Sequence, residues 1–156
     1  MRKEIRDILG GHPFLKEFQS QHLDKLTELA QNAQFERDQI IFRERDASSF
    51  FYLIISGKVA LEVTALGRTL RVQTLSDGEA LGWSSVLPSE GKYFQARAMG
   101  AIRALVFDGA RLREACEQDY SLGYAFTQRL LWLLASRLQA TRVQLLDMYA
   151  VPPKES

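Results

Sequence analysis

Cysteine and histidine are scarce in this chain: Cys116 is the one thiol, and His12 and His22 are the two imidazoles. A single thiol can neither close an internal disulfide nor hold an iron–sulfur cluster by itself, so Cys116 reads as a half-buried helix residue. The lack of disulfides agrees with a reducing compartment. Both histidines precede the strand-like segments. That leaves no His–carboxylate set on adjacent strands for a metal enzyme, no base for a Ser-His-Asp triad, and little support for a haem ligand. Long apolar runs are missing too. The nearest, Leu130 to Ala135, falls far short of the ~18 residues a membrane span needs. Met1 to Gly10 is charged and lacks the apolar core of a secretory signal. The expectation is a cytoplasmic protein with no membrane association. Charge of one sign is also absent. Twenty Lys and Arg against nineteen Asp and Glu leave a formal net charge of +1, too little to draw in nucleic acid or acidic lipid by field alone.

What is present describes one ordinary globular domain. The 156 residues are 46% hydrophobic and 25% charged, a composition that folds rather than stays disordered. The opening is helical and polar until Gly10, Gly11 and Pro13 interrupt it. Ser20 stands where an N-cap would, ahead of Leu23, Leu26, Leu29 and Ala30 at helical spacing, so short helices are expected to end near Gln34. The period then changes. Ile40–Phe42, Phe50–Ile55, Val59–Val63, Leu70–Val72, Phe94–Ala98 and Ile102–Phe107 are short β-type segments, with Gly57 and Gly67 as turns. Many short strands at close spacing predict a sandwich, jelly roll or barrel, and no βαβ alternation points to a doubly wound sheet. The Asp77–Glu79 pair reads as a turn around Gly78 rather than as an acid–base pair. Asp108 is placed to cap a helix to about Glu117, and Ser121 a longer one to about Tyr149, which Val151, Pro152 and Pro153 end.

That long helix carries the clearest pattern. Tyr124, Thr127, Leu131, Leu134, Leu138, Thr141, Leu145 and Met148 step by three and four, as an a/d seam does. Leu122, Phe126, Leu130 and Leu133 form a second apolar face beside it. Two faces need two surfaces, so the first part is expected to dock on the β-structure and the seam to pair with a second copy. The dimer contact is assigned to Leu131, Leu134, Leu138, Leu145 and Met148. Arg129, Arg137 and Arg142 read as the solvated face of that paired helix.

Four segments resemble the cyclic-nucleotide-binding domain of the bacterial catabolite-activator and FNR regulators. Ile41-Phe42-Arg43-Glu44-Arg45-Asp46 is similar to the family's I-F-x-E-G-D turn, with Arg45 in place of the glycine. Phe51-Tyr52-Leu53-Ile54-Ile55-Ser56-Gly57-Lys58-Val59 is similar to its strand–turn–strand signature. Gly78-Glu79-Ala80-Leu81-Gly82 resembles the opening of its phosphate-binding cassette, and Arg97-Ala98 the strand that follows. The resemblance runs from about Leu9 to Leu146. It implies an α+β fold: a β-roll or jelly roll of about eight short antiparallel strands, N-terminal helices and a long C-terminal dimerisation helix. The corresponding division is a helical segment at 1–34, the roll at 35–108, C-terminal helices at 109–149 and a tail at 150–156.

The ligand residues depart from the family. Where its cassette carries a glutamate for the ribose hydroxyl, this chain has Trp83. Where an arginine binds the cyclic phosphate and a Ser or Thr follows, it has Lys92 and Tyr93. Hydrogen bonds to charged groups contribute roughly 1.5–3 kcal/mol each. Losing both lowers affinity by on the order of 10²–10⁴, and lysine cannot make the bidentate fork. Weak or no binding of cyclic AMP or cyclic GMP in the usual mode is therefore expected. The candidate site is Gly82, Trp83, Ser84, Ser85, Lys92 and Tyr93, for a non-standard anionic or nucleotide-like ligand. Its parts are a helix start at Trp83–Leu87, two hydroxyls, a cation and two rings for stacking. No cofactor or metal is expected.

The resulting expectation is a stand-alone regulatory or sensor module, not an enzyme, that signals through a homodimer, with a partner protein as the reader. Genuine cyclic-nucleotide reception and a ligand-free interaction role are the alternatives. The family's DNA-binding helix-turn-helix finds no counterpart before Ser156, so sequence-specific DNA binding is not expected.

Overall fold

A computed structural model describes residues 2–47, 49–87 and 92–150 of the chain. Helices α1 (Arg2–Gly11) and α2 (Ser20–Leu29) open it, joined through a 3₁₀ turn at Pro13–Leu15. Eight strands follow among the described residues: β1 (Gln31–Phe35), β2 (Ile40–Phe42), β3 (Phe50–Ser56), β4 (Val59–Ala65), β5 (Arg68–Leu75), β6 (Ala80–Leu81), β7 (Gln95–Ala98) and β8 (Ile102–Asp108). Helices α3 (Gly109–Gln118) and α4 (Tyr120–Tyr149) close it. All pairings are antiparallel, in two four-stranded sheets ordered β1-β8-β3-β6 and β2-β7-β4-β5. The expected jelly roll with flanking helices is the fold.

The apolar run in β3 has a direct cause. Its side chains alternate between two cores. Phe51 and Leu53 face the helices, where they join Phe14, Phe107, Leu122 and Phe126. Tyr52 and Ile54 face the interior of the roll with Val59, Leu61, Leu81 and Ala96. A strand buried on both faces reads as continuous rather than alternating hydrophobicity. Strand β8 does the same, with Leu105 and Phe107 on one side and Ile102 and Ala104 on the other.

Four local expectations are corrected. The helical opening ends at Leu29, not near Gln34, because Gln31 to Phe35 pair with Val106 to Ile102 of β8. Ser20 is the first residue of α2 rather than its cap. Gln19 holds the cap position without a side-chain bond, and Ser20 Oγ accepts from Arg6 Nη2 at 2.9 Å. Asp119, not Ser121, caps α4, with Oδ1 accepting from the Ser121 and Leu122 amides at 3.0 and 3.3 Å. Ser121 Oγ instead pairs with His22 Nε2 at 2.9 Å. Asp108 caps α3 as expected, accepting from the Arg111 amide at 3.0 Å.

The fourth correction concerns the arginines. Arg129 and Arg137 are folded onto the domain, not solvated. Arg129 donates to the carbonyls of Phe14 and Pro13, at 2.6 and 3.1 Å, and covers the Trp132 ring. Arg137 donates to the Ala80 carbonyl, and Gln144 to that of Val72. Together with buried Leu122, Phe126 and Leu133, these contacts lay α4 across the roll. The seam positions Leu131, Leu138, Leu145 and Met148 remain exposed on the outside. Leu134 packs partly against the core.

Candidate functional site

The cassette region is built by three tight constraints. Gly82 follows β6 with φ at 83°, a conformation costly for any residue with a Cβ. A Cβ there would also lie 2.4 Å from the Phe50 carbonyl oxygen. The chain then turns once through a 3₁₀ helix at Trp83–Val86, shorter than the helix expected to Leu87. On the far side Lys92 is clamped by its backbone: its amide donates to Asp46 at 2.9 Å, and its carbonyl accepts from Arg45 at 2.8 Å.

Trp83 and Tyr93 line this frame together, and Tyr93 remains exposed. Their rings stack with centroids 5.3 Å apart and an interplanar angle of 14°. Lys92 points inward and is 5% exposed. Its Nζ donates to the Phe50 carbonyl at 3.1 Å and sits 4.6 Å above the Phe42 ring. Burial lowers its pKa to about 8 against the opposing pull of Asp46. The cavity that remains among Phe42, Leu81, Gly82, Trp83, Lys92 and Tyr93 is about 20 Å³. One water fits such a space, whereas small-molecule pockets run from roughly 300 to 1,000 Å³.

The other expected site residues divide. Ser84 is buried and lines the cavity. Ser85 turns away from it, with Oγ donating to the Gly82 carbonyl at 2.7 Å and its own carbonyl beneath Gly109, where a Cβ would come within 2.3 Å. Sequence reasoning missed Arg137, whose side chain reaches the same cavity from α4. Burial lowers its pKa to about 10, with Glu79 opposing. A signal for it exists: Arg137 stands four residues after Leu133, on the face that docks.

Several other titratable groups make bonds within the scaffold. His12 Nε2 meets the Ile54 carbonyl at 2.8 Å, its Nδ1 accepts from the Phe14 amide, and burial lowers its pKa. The half-buried Cys116 thiol is pushed up to about 11 by burial and by Asp119 and Glu117, which makes it a poor nucleophile. Asp77 and Glu79 accept from the Gly57 and Ser76 amides, at 2.8 and 2.7 Å. Among the described residues no cluster of His, Cys, Asp and Glu could hold a metal. No helix there is long and apolar enough to cross a membrane.

Residues 33–119 match the family model of the cyclic nucleotide-binding domain. The chain belongs to the cyclic nucleotide-binding domain family. Structural similarity extends over the whole fold. A cyclic nucleotide-binding domain from Methylobacillus flagellatus superposes with a TM-score of 0.81 at 19% identity, covering 98% of this chain and 86% of that one. The catabolite activator protein of Thermus thermophilus gives 0.72 at 23% identity, covering 87% and 62%. A protein of Rhodopseudomonas palustris named as a potassium channel is 28% identical over 103 residues, 66% of this chain and 25% of that one. The chain therefore corresponds to about a quarter of that relative. Trp83 and Lys92 both line the small cavity beside Gly82.

Proposed function

We propose that this domain is a regulatory module whose cassette is closed by its own side chains and does not take cyclic nucleotides in the usual mode. The observation that carries this reading is the 20 Å³ cavity beneath the Trp83–Tyr93 stack. A cyclic nucleotide entering there would have to displace both rings and the bonded Lys92. The module then acts by protein contact: α4 pairs with a second copy through its exposed seam, and a partner protein reads the pair. It performs no catalysis on this reading.

One observation favours a second reading, in which an anionic or nucleotide-like ligand opens the stack. Lys92 is a buried cation whose direct contacts are a carbonyl and a ring, not a carboxylate. An anion would relieve its burial.

Thermal denaturation against cyclic mono- and dinucleotides, linear nucleotides and small anions separates the two. A ligand at 100 times its Kd adds about 2.7 kcal/mol of stability, an easily measured rise in Tm. The closed reading expects a flat response from the native chain. A rise that vanishes in Lys92→Ala would replace it with the ligand-gated one.

A further inference from the structure

A larger cavity with charged residues in its lining lies outside the cassette. It is about 510 Å³ and sits between α4 and the turn joining β5 to β6, with Pro13 and Phe14 at one end. Its walls carry opposite charge. The α4 wall presents Arg129 and Arg137, eight residues apart and so on one helix face about 12 Å apart along the axis. The turn wall presents Asp77 and Glu79. The lining also includes the apolar Trp132, Leu133, Leu75 and Ala140, and the polar Gln73, Thr74, Ser136 and Gln144.

None of the four charged groups is saturated by the domain itself. A guanidinium has five N–H donors. Arg129 uses two of them on the Phe14 and Pro13 carbonyls, and Arg137 one on Ala80. Asp77 engages the Gly57 amide through Oδ1, and Glu79 engages Ser76 through Oε2. Each carboxylate thus keeps a second oxygen. No ion pair within 4.0 Å joins the two walls among the described residues, although the Glu79 charge acts on Arg137 across the space. Two cations and two anions lining one cavity, with apolar side chains beside them, complement a molecule that carries both charges on an apolar body.

We propose that this cavity binds a small zwitterion of the apolar α-amino-acid class, its carboxylate toward Arg129 and Arg137 and its ammonium toward Asp77 and Glu79. The site is separate from the cassette, so it stands whether or not the cassette is closed. Arg137 borders both cavities, which gives an occupant here a direct route to the cassette.

The chain has two tryptophans, Trp83 in the cassette and Trp132 in this cavity. Their indole N–H cross-peaks in a proton–nitrogen correlation spectrum therefore report which site is entered. The probes are L-phenylalanine, phenylpropionate and phenethylamine, which share one ring and differ in charge. Titrated into the full chain, L-phenylalanine is expected to shift the Trp132 cross-peak saturably while Trp83 moves little. The single-charge probes should bind at least tenfold more weakly, a loss of about 1.4 kcal/mol. Arg129→Gln should weaken L-phenylalanine and leave phenethylamine unchanged. Glu79→Gln should weaken L-phenylalanine and leave phenylpropionate unchanged. The two variants remove charges from opposite walls, so the proposal stays testable if one of them fails to fold. It is overturned if the Trp132 cross-peak shows no saturation up to about 10 mM, where a Kd of about 1 mM gives near-full occupancy. It is equally overturned if a single-charge probe binds as well as the zwitterion. A shift on dilution without any added compound would assign the cavity to a second copy of the chain and overturn it too.

Discussion

Lys92 shows how one side chain can be chemically active and structurally committed together. Its ammonium is held by the Phe50 carbonyl and the Phe42 ring, and burial lowers its pKa from 10.5 to about 8. The folded state disfavours the charged form. Below about pH 8 folded and unfolded chains both carry the proton, and the site gives no pH dependence. Between about 8 and 10.5 the unfolded chain binds more protons, so the site's contribution to stability rises with pH. Urea denaturation of the native chain and of Lys92→Met should therefore diverge over that window, the native chain gaining relative to the variant. Parallel curves would show that Lys92 is as solvated as an ordinary lysine. The charge at position 92 was visible in the sequence. Its inward rotamer was not, because that depends on Phe42 and Phe50, which are distant in the chain.

At the scale of elements, side-chain caps fix where α3 and α4 begin. Asp119 ties down two amides at the start of α4, and replacing it with alanine should cost about 1 kcal/mol in equilibrium denaturation. An unchanged midpoint would mean the helix is held by burial of Leu122 and Phe126 alone. Ser121 looked like the cap from local sequence because serine is a good one. Asp119 takes that role two residues earlier, and Ser121 is free to meet His22 of α2. Strand β1 was illegible for a related reason. Gln-Asn-Ala-Gln-Phe has no alternation of its own, and it becomes a strand because β8 offers an edge to pair with. Strands β3 and β8 were readable since burial on both faces leaves an unmistakable apolar run.

At the scale of the whole molecule, α4 is the part whose surroundings are incomplete. One face docks through Leu122, Phe126 and Leu133, while Leu131, Leu138 and Met148 stand 61%, 72% and 80% exposed. A row of this kind on a 30-residue helix fits the knobs of a second helix. Sedimentation of the native chain at high concentration should find a dimer, and Leu138→Glu should find a monomer. The variant's far-ultraviolet dichroism should stay unchanged, since Leu138 supports no core. A monomeric native chain at high concentration would remove pairing from the proposed function. The sequence by itself determined the family, the strands buried on both faces and the two apolar faces of α4. These are written in local periodicity and in motifs a few residues long. Only the tertiary structure decided that the Trp83 and Tyr93 rings stack, that Arg137 reaches the cavity beside Gly82 and Lys92 from α4, and that Arg129, Arg137, Asp77 and Glu79 line one cavity beneath that helix. Such facts depend on contacts between residues tens of positions apart, whose packing no local pattern encodes.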